Sequence, residues 1–238
     1  MKNLILVAAL VAWPLSVAPG QTADEQLTYL TLSRTPVGAF APMLTNTLIN
    51  RLQNGASLAL RYGNTASGDF NNTTHAIGVT GVMPAGLGAT FTITGGVLAT
   101  DCTGCDPQLM LGVGGDIRLL GSTMGSTASS PLFTVSLDGE LGYSNRDPGS
   151  FFSGYVGVPV ALVQRGTGMQ FVPFLTPGFA FTQTSAGGVS NSGSGLMVGG
   201  GLGIYNTESS MIVNVGIQHQ FMNGARNAIG INLLFGGK

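Results

Sequence analysis

The stretch QLMLGVGGDIRLL, residues 108–120, places Leu109, Leu111, Val113, Ile117 and Leu119 on one side of an extended chain, and Met110, Gly112, Gly114, Asp116 and Arg118 on the other. Successive side chains of a strand point to opposite faces, so a period of two sorts residues by face. The segment LFTVSLDGELGY (132–143) repeats the division, with Phe133, Val135, Leu137, Leu141 and Tyr143 opposing Thr134, Ser136, Asp138, Glu140 and Gly142. So does AIGINLLF (228–235), where Ile229, Ile231, Leu233 and Phe235 oppose Ala228, Gly230, Asn232 and Leu234. Bulky apolar side chains share one face, and mostly small or polar ones share the other.

A soluble sandwich also alternates, but its polar face meets water and carries Lys, Glu and Arg. Here that face is mainly Gly, Ala, Ser and Thr. As a soluble exported β-sandwich, the chain would need a second sheet to cover its large side chains and would show water a glycine-rich surface almost without charge. Turned inside out, with apolar side chains toward lipid and small polar ones toward a lumen, the pattern is consistent. A bilayer offers no water to pair backbone groups, and a closed barrel pairs all of them.

Composition points the same way. Of 238 residues 44% are apolar, 8% charged and 38 glycine, whereas ordinary globular chains carry roughly 25% charged residues and about 7% glycine. Nine Lys and Arg against ten Asp and Glu give a net charge of -1, so no basic field exists to hold nucleic acid. Disorder is equally excluded by 12 Phe and the high apolar content.

The N-terminus reads as an export signal: Lys2, the apolar run Leu4 to Trp13, then Pro14 and small residues, with cleavage expected after Gly20 or Ala23. Residues 1–20 are thus a signal peptide, 21–55 an N-terminal segment, and 56–235 a barrel domain. Within the barrel about ten alternating segments are expected: Ser57–Gly63, Thr73–Met83, Ala89–Ala99, Gln108–Leu120, Leu132–Tyr143, Phe151–Gln164, Met169–Thr182, Gly195–Tyr205, Met211–Phe221 and Ala228–Phe235. The fold class is all-β, a closed antiparallel up-and-down transmembrane barrel. Leu44, Leu48, Ile49 and Leu52 recur at helical spacing before it, predicting a short helix. The alternative makes Leu27–Ser33 and Thr45–Gln53 strands, for twelve in all.

With its export signal, its alternating segments and a final strand ending at Phe235, the chain resembles the bacterial outer-membrane β-barrel superfamily. The resemblance implies residence in the outer membrane among its lipids, and recognition of the Phe235 strand by the barrel assembly machinery. If odd strands run outward, Phe91, Phe133, Phe171, Tyr205 and Phe235 belong to a periplasmic aromatic belt, and Tyr62, Tyr143, Phe152, Phe181 and Phe221 to an outer one. Connections 84–88, 165–168 and 206–210 then form short inner turns and 183–194 a long outer loop, while 121–131 is long for an inner turn.

The candidate site is a lumenal charge cluster: Asp116, Arg118, Asp138, Glu140 and Arg61, with Gln170, Asn214 and Gln218 as extensions. Such charges set ion preference or satisfy one another in a network without cargo. Cys102 and Cys105 in a loop predict a disulfide in an oxidising compartment, because the βαβ context of a redox enzyme and the histidines of a zinc site are both missing. His75 and His219 fall near outer strand ends on the lipid side without a recognisable nucleophile, and Gly199-Gly200-Gly201 lacks the strand-to-helix context of a phosphate loop.

Neither a metal site, a cofactor nor a catalytic residue is expected. The expected role is a monomeric narrow pore or passive carrier for small solutes, or a structural or surface protein, with a rim-active enzyme as the alternative. Eight-stranded barrels are filled by their own side chains and open channels need about sixteen strands. The segment between Leu27 and Gln53 is therefore expected to plug the lumen or cover its periplasmic mouth.

Overall fold

The computed structural model describes residues 56–67, 73–86, 89–101, 106–123, 132–146, 149–163, 169–186, 189–206, 211–221 and 226–236. They form strands β1 (Ser57–Ser67), β2 (Thr73–Gly86), β3 (Ala89–Thr100), β4 (Gln108–Thr123), β5 (Leu132–Arg146), β6 (Gly149–Gly157), β7 (Val160–Val163), β8 (Met169–Ala186), β9 (Val189–Asn206), β10 (Met211–Phe221) and β11 (Arg226–Gly236). All pairings are antiparallel. β1 also pairs with β11, from Ser57 opposite Gly236 to Ser67 opposite Arg226, which closes the sheet on itself. β6 and β7 both lie between β5 and β8 and are two halves of one stave, so the barrel has 10 staves.

Closure at ten leaves no position in the ring for further strands, and the twelve-strand alternative falls with it. A second sheet is equally absent among the described residues, which removes the soluble sandwich. The expected N-terminal helix, the signal peptide and its cleavage site lie outside the described residues.

Sidedness follows the alternation. Leu109 is 75% exposed, Ile77 66% and Ile217 62%, while their inward neighbours Met110, Ala76 and Gln218 are buried. Nothing among the described residues covers this apolar outer surface, and an apolar band around a closed barrel is what a bilayer solvates. Of the expected belts, Phe91, Phe171, Phe235, Tyr62, Tyr143 and Phe221 are exposed on the outer face. Tyr143 stands opposite Phe152, whose ring lies 5.9 Å from that of Phe181, and together they make an aromatic patch across β5, β6 and β8.

Three departures from the alternation have physical causes. The sixth stave breaks at Val158–Pro159 because proline has no N–H to give the ladder. Across the gap the partner strand β8 carries Pro177, which lacks one too. The break is bridged by Ser136 N donating to Pro159 O at 3.0 Å and Val158 N donating to Pro177 O at 2.9 Å. In β4 the register against β5 shifts between Arg118 and Leu120, and this bulge turns the adjacent Leu119 and Leu120 both outward.

The third departure corrects the expected long loop at 183–194. β8 and β9 continue as a paired ribbon to Ala186 opposite Val189. Its Ser, Thr, Gly and Asn side chains carry no hydrophobic signal, so only the backbone pairing reveals it. β9 meets β10 no earlier than Leu196 opposite Phe221, so the ribbon stands beyond β10 and β11. Connection length consequently fails to distinguish the two ends. The breaks 147–148 and 187–188 at the end away from the termini are as short as 87–88 at the terminal end, and 124–131 at the terminal end is longer.

A lipid-facing charge should be costly in proportion to its depth. Ile217→Arg, near the middle of β10, is expected to destabilise the folded barrel by about 2–4 kcal/mol, measured by reversible denaturant unfolding in lipid vesicles.

Candidate functional site

The inward charges gather near mid-strand on the β1 to β5 side of the barrel. Arg61 on β1 reaches across the interior, past β2, β3 and β4, to Glu140 on β5. Its Nη1 donates to Glu140 Oε1 at 3.0 Å and Oε2 at 3.2 Å, and Nη2 donates to Oε2 at 3.3 Å. Nη1 also contacts Thr80 Oγ1 at 3.4 Å and Thr94 Oγ1 at 3.3 Å. Those two hydroxyls lie 2.8 Å apart, and that of Thr94 donates to Glu140 Oε1 at 3.3 Å. Arg61 is 3% exposed and Glu140 7%. A planar guanidinium suits such a fork, because several N–H groups reach a carboxylate and nearby hydroxyls at once.

The two aspartates sit in the adjacent layer toward the termini. Asp116 and Asp138 are directly opposite in the β4–β5 register. Each is held by a hydroxyl: Thr90 Oγ1 donates to Asp116 Oδ1, and Tyr155 OH donates to Asp138 Oδ2 at 2.7 Å. Both carboxylates are buried, while Arg118 is half-buried at the rim. Glycine makes room for this layer. A Cβ at Gly114, opposite Glu140, would stand 2.7 Å from Gly139 O and 3.1 Å from Glu140 Cα, and one at Gly112 would lie 3.3 Å from Glu140 Oε1.

The structure therefore brings Arg61, Asp116, Asp138 and Glu140 into one half of the lumen. Threonines 80, 90 and 94 and Tyr155 bind them there, and the sequence reading did not single these out. Asn214 and Gln218 stand on another wall and make no hydrogen bond to the charges; Gln170 is buried on β8. Cys102 and Cys105 lie outside the described residues. Phe235 faces outward on β11, opposite Leu58 and Met211.

Both histidines sit on the outer surface. His75 Nδ1 is 2.9 Å from Tyr62 OH and 3.3 Å from Asn64 Nδ2, and His219 Nδ1 is 2.7 Å from Asn227 Oδ1. Two residues on from His219, on the same face, Phe221 packs edge-on at 4.4 Å. Among the described residues the polar partners of both rings are thus a tyrosine and amides, without a serine or a carboxylate. Among the described residues no three His, Cys, Asp or Glu side chains come together as a metal site.

Removing one partner of a buried ion pair strands the other charge. Arg61→Ala or Glu140→Ala alone is expected to cost about 3–5 kcal/mol of folding stability, while replacing both with Met and Leu should restore most of it. Denaturant titration of the variants in detergent or vesicles measures the difference.

No family model and no curated protein matches the chain in sequence. Among solved structures it is similar to Ail, the attachment invasion locus protein of Yersinia pestis, at 10% identity and a TM-score of 0.37 over 76% of this chain and 94% of that one. It is similar to the outer membrane enzyme PagL at 14% identity and 0.38, over 75% and 99%. For the outer membrane protein Omp33 of Acinetobacter baumannii the values are 12% and 0.30, over 78% and 99%. The closed ring of strands, with its apolar exterior and polar interior among the described residues, has the architecture of a membrane-spanning β-barrel.

Proposed function

We propose that this protein is a resident outer-membrane barrel whose lumen is shut, serving as a structural or surface protein rather than as an open pore. The observation that carries this reading is the Arg61–Glu140 pair. It joins β1 to β5 through the interior, with both side chains buried and bound in addition by threonines of the intervening staves. An aqueous channel keeps its wall charges hydrated, whereas the inward side chains of this barrel, including Asp116 and Asp138, are 9% exposed or less at all but its rims and glycines.

The same geometry supports a non-enzymatic role. A hydrolytic nucleophile needs a base within hydrogen-bond reach and a group that orients that base. His219 has an orienting amide in Asn227, but Phe221 occupies the neighbouring position on its face.

In planar bilayers the purified chain should show no stable open level, and the Arg61→Ala/Glu140→Ala double variant should give discrete conductance steps. Deleting residues 24–53 should leave the barrel silent. Steady ohmic conductance by the unaltered chain would remove the closed-lumen reading, and conductance on deletion alone would assign the seal to the N-terminal segment.

A further inference from the structure

On the far side of the Arg61 layer from the termini, one part of the lumen wall is bare backbone. Gly201 on β9, Gly216 on β10, Gly230 on β11 and Gly63 on β1 are register neighbours in an unbroken row. Four adjacent staves thus contribute no side chain at that level. At strand spacings of about 4.8 Å the row spans roughly 14 Å. The ring of Phe174 lies over one end of this floor, its Cζ 2.9 Å from where a Cβ on Gly201 would be.

Amide side chains flank the floor along the strands. Asn214 and Asn232, paired in register, lie two residues toward the termini, and Gln218 lies two residues toward the far mouth with Gln220 beyond it. All four are at least nine-tenths buried, between 1% and 4% exposed. None of Asn214 Nδ2 and Oδ1, Asn232 Nδ2 and Oδ1, Gln218 Nε2 and Oε1 or Gln220 Oε1 has a hydrogen-bond partner. Buried polar groups in native proteins are almost always paired, because leaving one unpaired forfeits its hydration without return. Seven such atoms around one glycine floor describe a place whose partner is another molecule.

We propose that this wall binds a neutral, hydroxyl-rich small molecule of the sugar class. Amides present donors and acceptors together, and a hydroxyl answers both, whereas an anion would meet the amide oxygens and a cation the amide nitrogens. The charge nearest in register, Arg61 beside Asn232, is committed to Glu140. The glycine row lets a flat ring lie against the backbone, and Phe174 supplies an apolar face for its C–H side. The Arg61 layer forms the base of this site, and because the amides and Phe174 are 6% exposed or less, an occupant reaches the wall only as neighbouring inward side chains move aside.

The full chain, refolded in detergent, is titrated calorimetrically with glucose and maltose at millimolar concentrations, with gluconate and glucosamine as charged controls. A neutral sugar should bind, the charged ones at least tenfold more weakly. Gln218→Leu and Asn232→Leu keep the side-chain bulk and remove unpaired polar atoms, so both should fold with equal or greater stability and lose at least tenfold in affinity. Gly230→Val, which fills the floor, should abolish binding. Either of two results would overturn the proposal: no heat with any neutral sugar, or affinity unchanged in the leucine variants. Destabilised leucine variants with no sugar binding would mean ordered water only.

Discussion

A bilayer interior gives a peptide group nothing to bond to, and that single deprivation governs this molecule. Each strand that enters must find a neighbour on both sides, so the first must eventually meet the last. β1 and β11 pair along their full length. Once the ring is closed, a period of two leaves only the choice of face, and the scarcity of charge together with the abundance of glycine decides it. Among the described residues the apolar rows have no protein layer to pack against, and lipid is the solvent that suits them.

The interior solves a different problem, because ten staves enclose more space than eight and these carry many glycines. Part of that space is crossed by side chains that join opposite walls, Arg61 with Glu140 above all. Each charge there has a counter-charge or a hydroxyl, which is the condition for keeping ions out of water. On the β9–β11 wall the balance is left open, with amides buried and backbone bare.

Much of the architecture was legible in the chain. Alternation at 108–120 and 132–143 located strands, sidedness and number, because hydrophobic periodicity reports the boundary with lipid directly. Where strands leave the hydrocarbon that signal stops, and the paired ribbon beyond Gln183 was therefore read as a loop. Pro159 was visible as a residue; its effect was not, since the break also depends on Pro177 standing across the gap. The cluster of charges could be listed from face assignment alone. That Arg61 would choose Glu140, 79 positions away, depends on barrel closure and on how far a guanidinium reaches past two threonines, neither of which is a local property. The unpaired amides were hidden for the same reason: Asn214 and Gln218 looked like members of the charged network until curvature placed them on a separate wall.

The β8–β9 ribbon has one further consequence. Between Val189 and Gly195 its β9 strand has β8 on one side and, on the other, no register partner among the described residues. Every second peptide group of that stretch thus turns away from the ladder. Clear of the hydrocarbon such groups are satisfied by solvent, and the Ser and Asn side chains around them add neither grease nor charge. This ribbon thereby addresses its surroundings through main chain as much as through side chains, and tolerates wide changes of residue as long as the hairpin can still form.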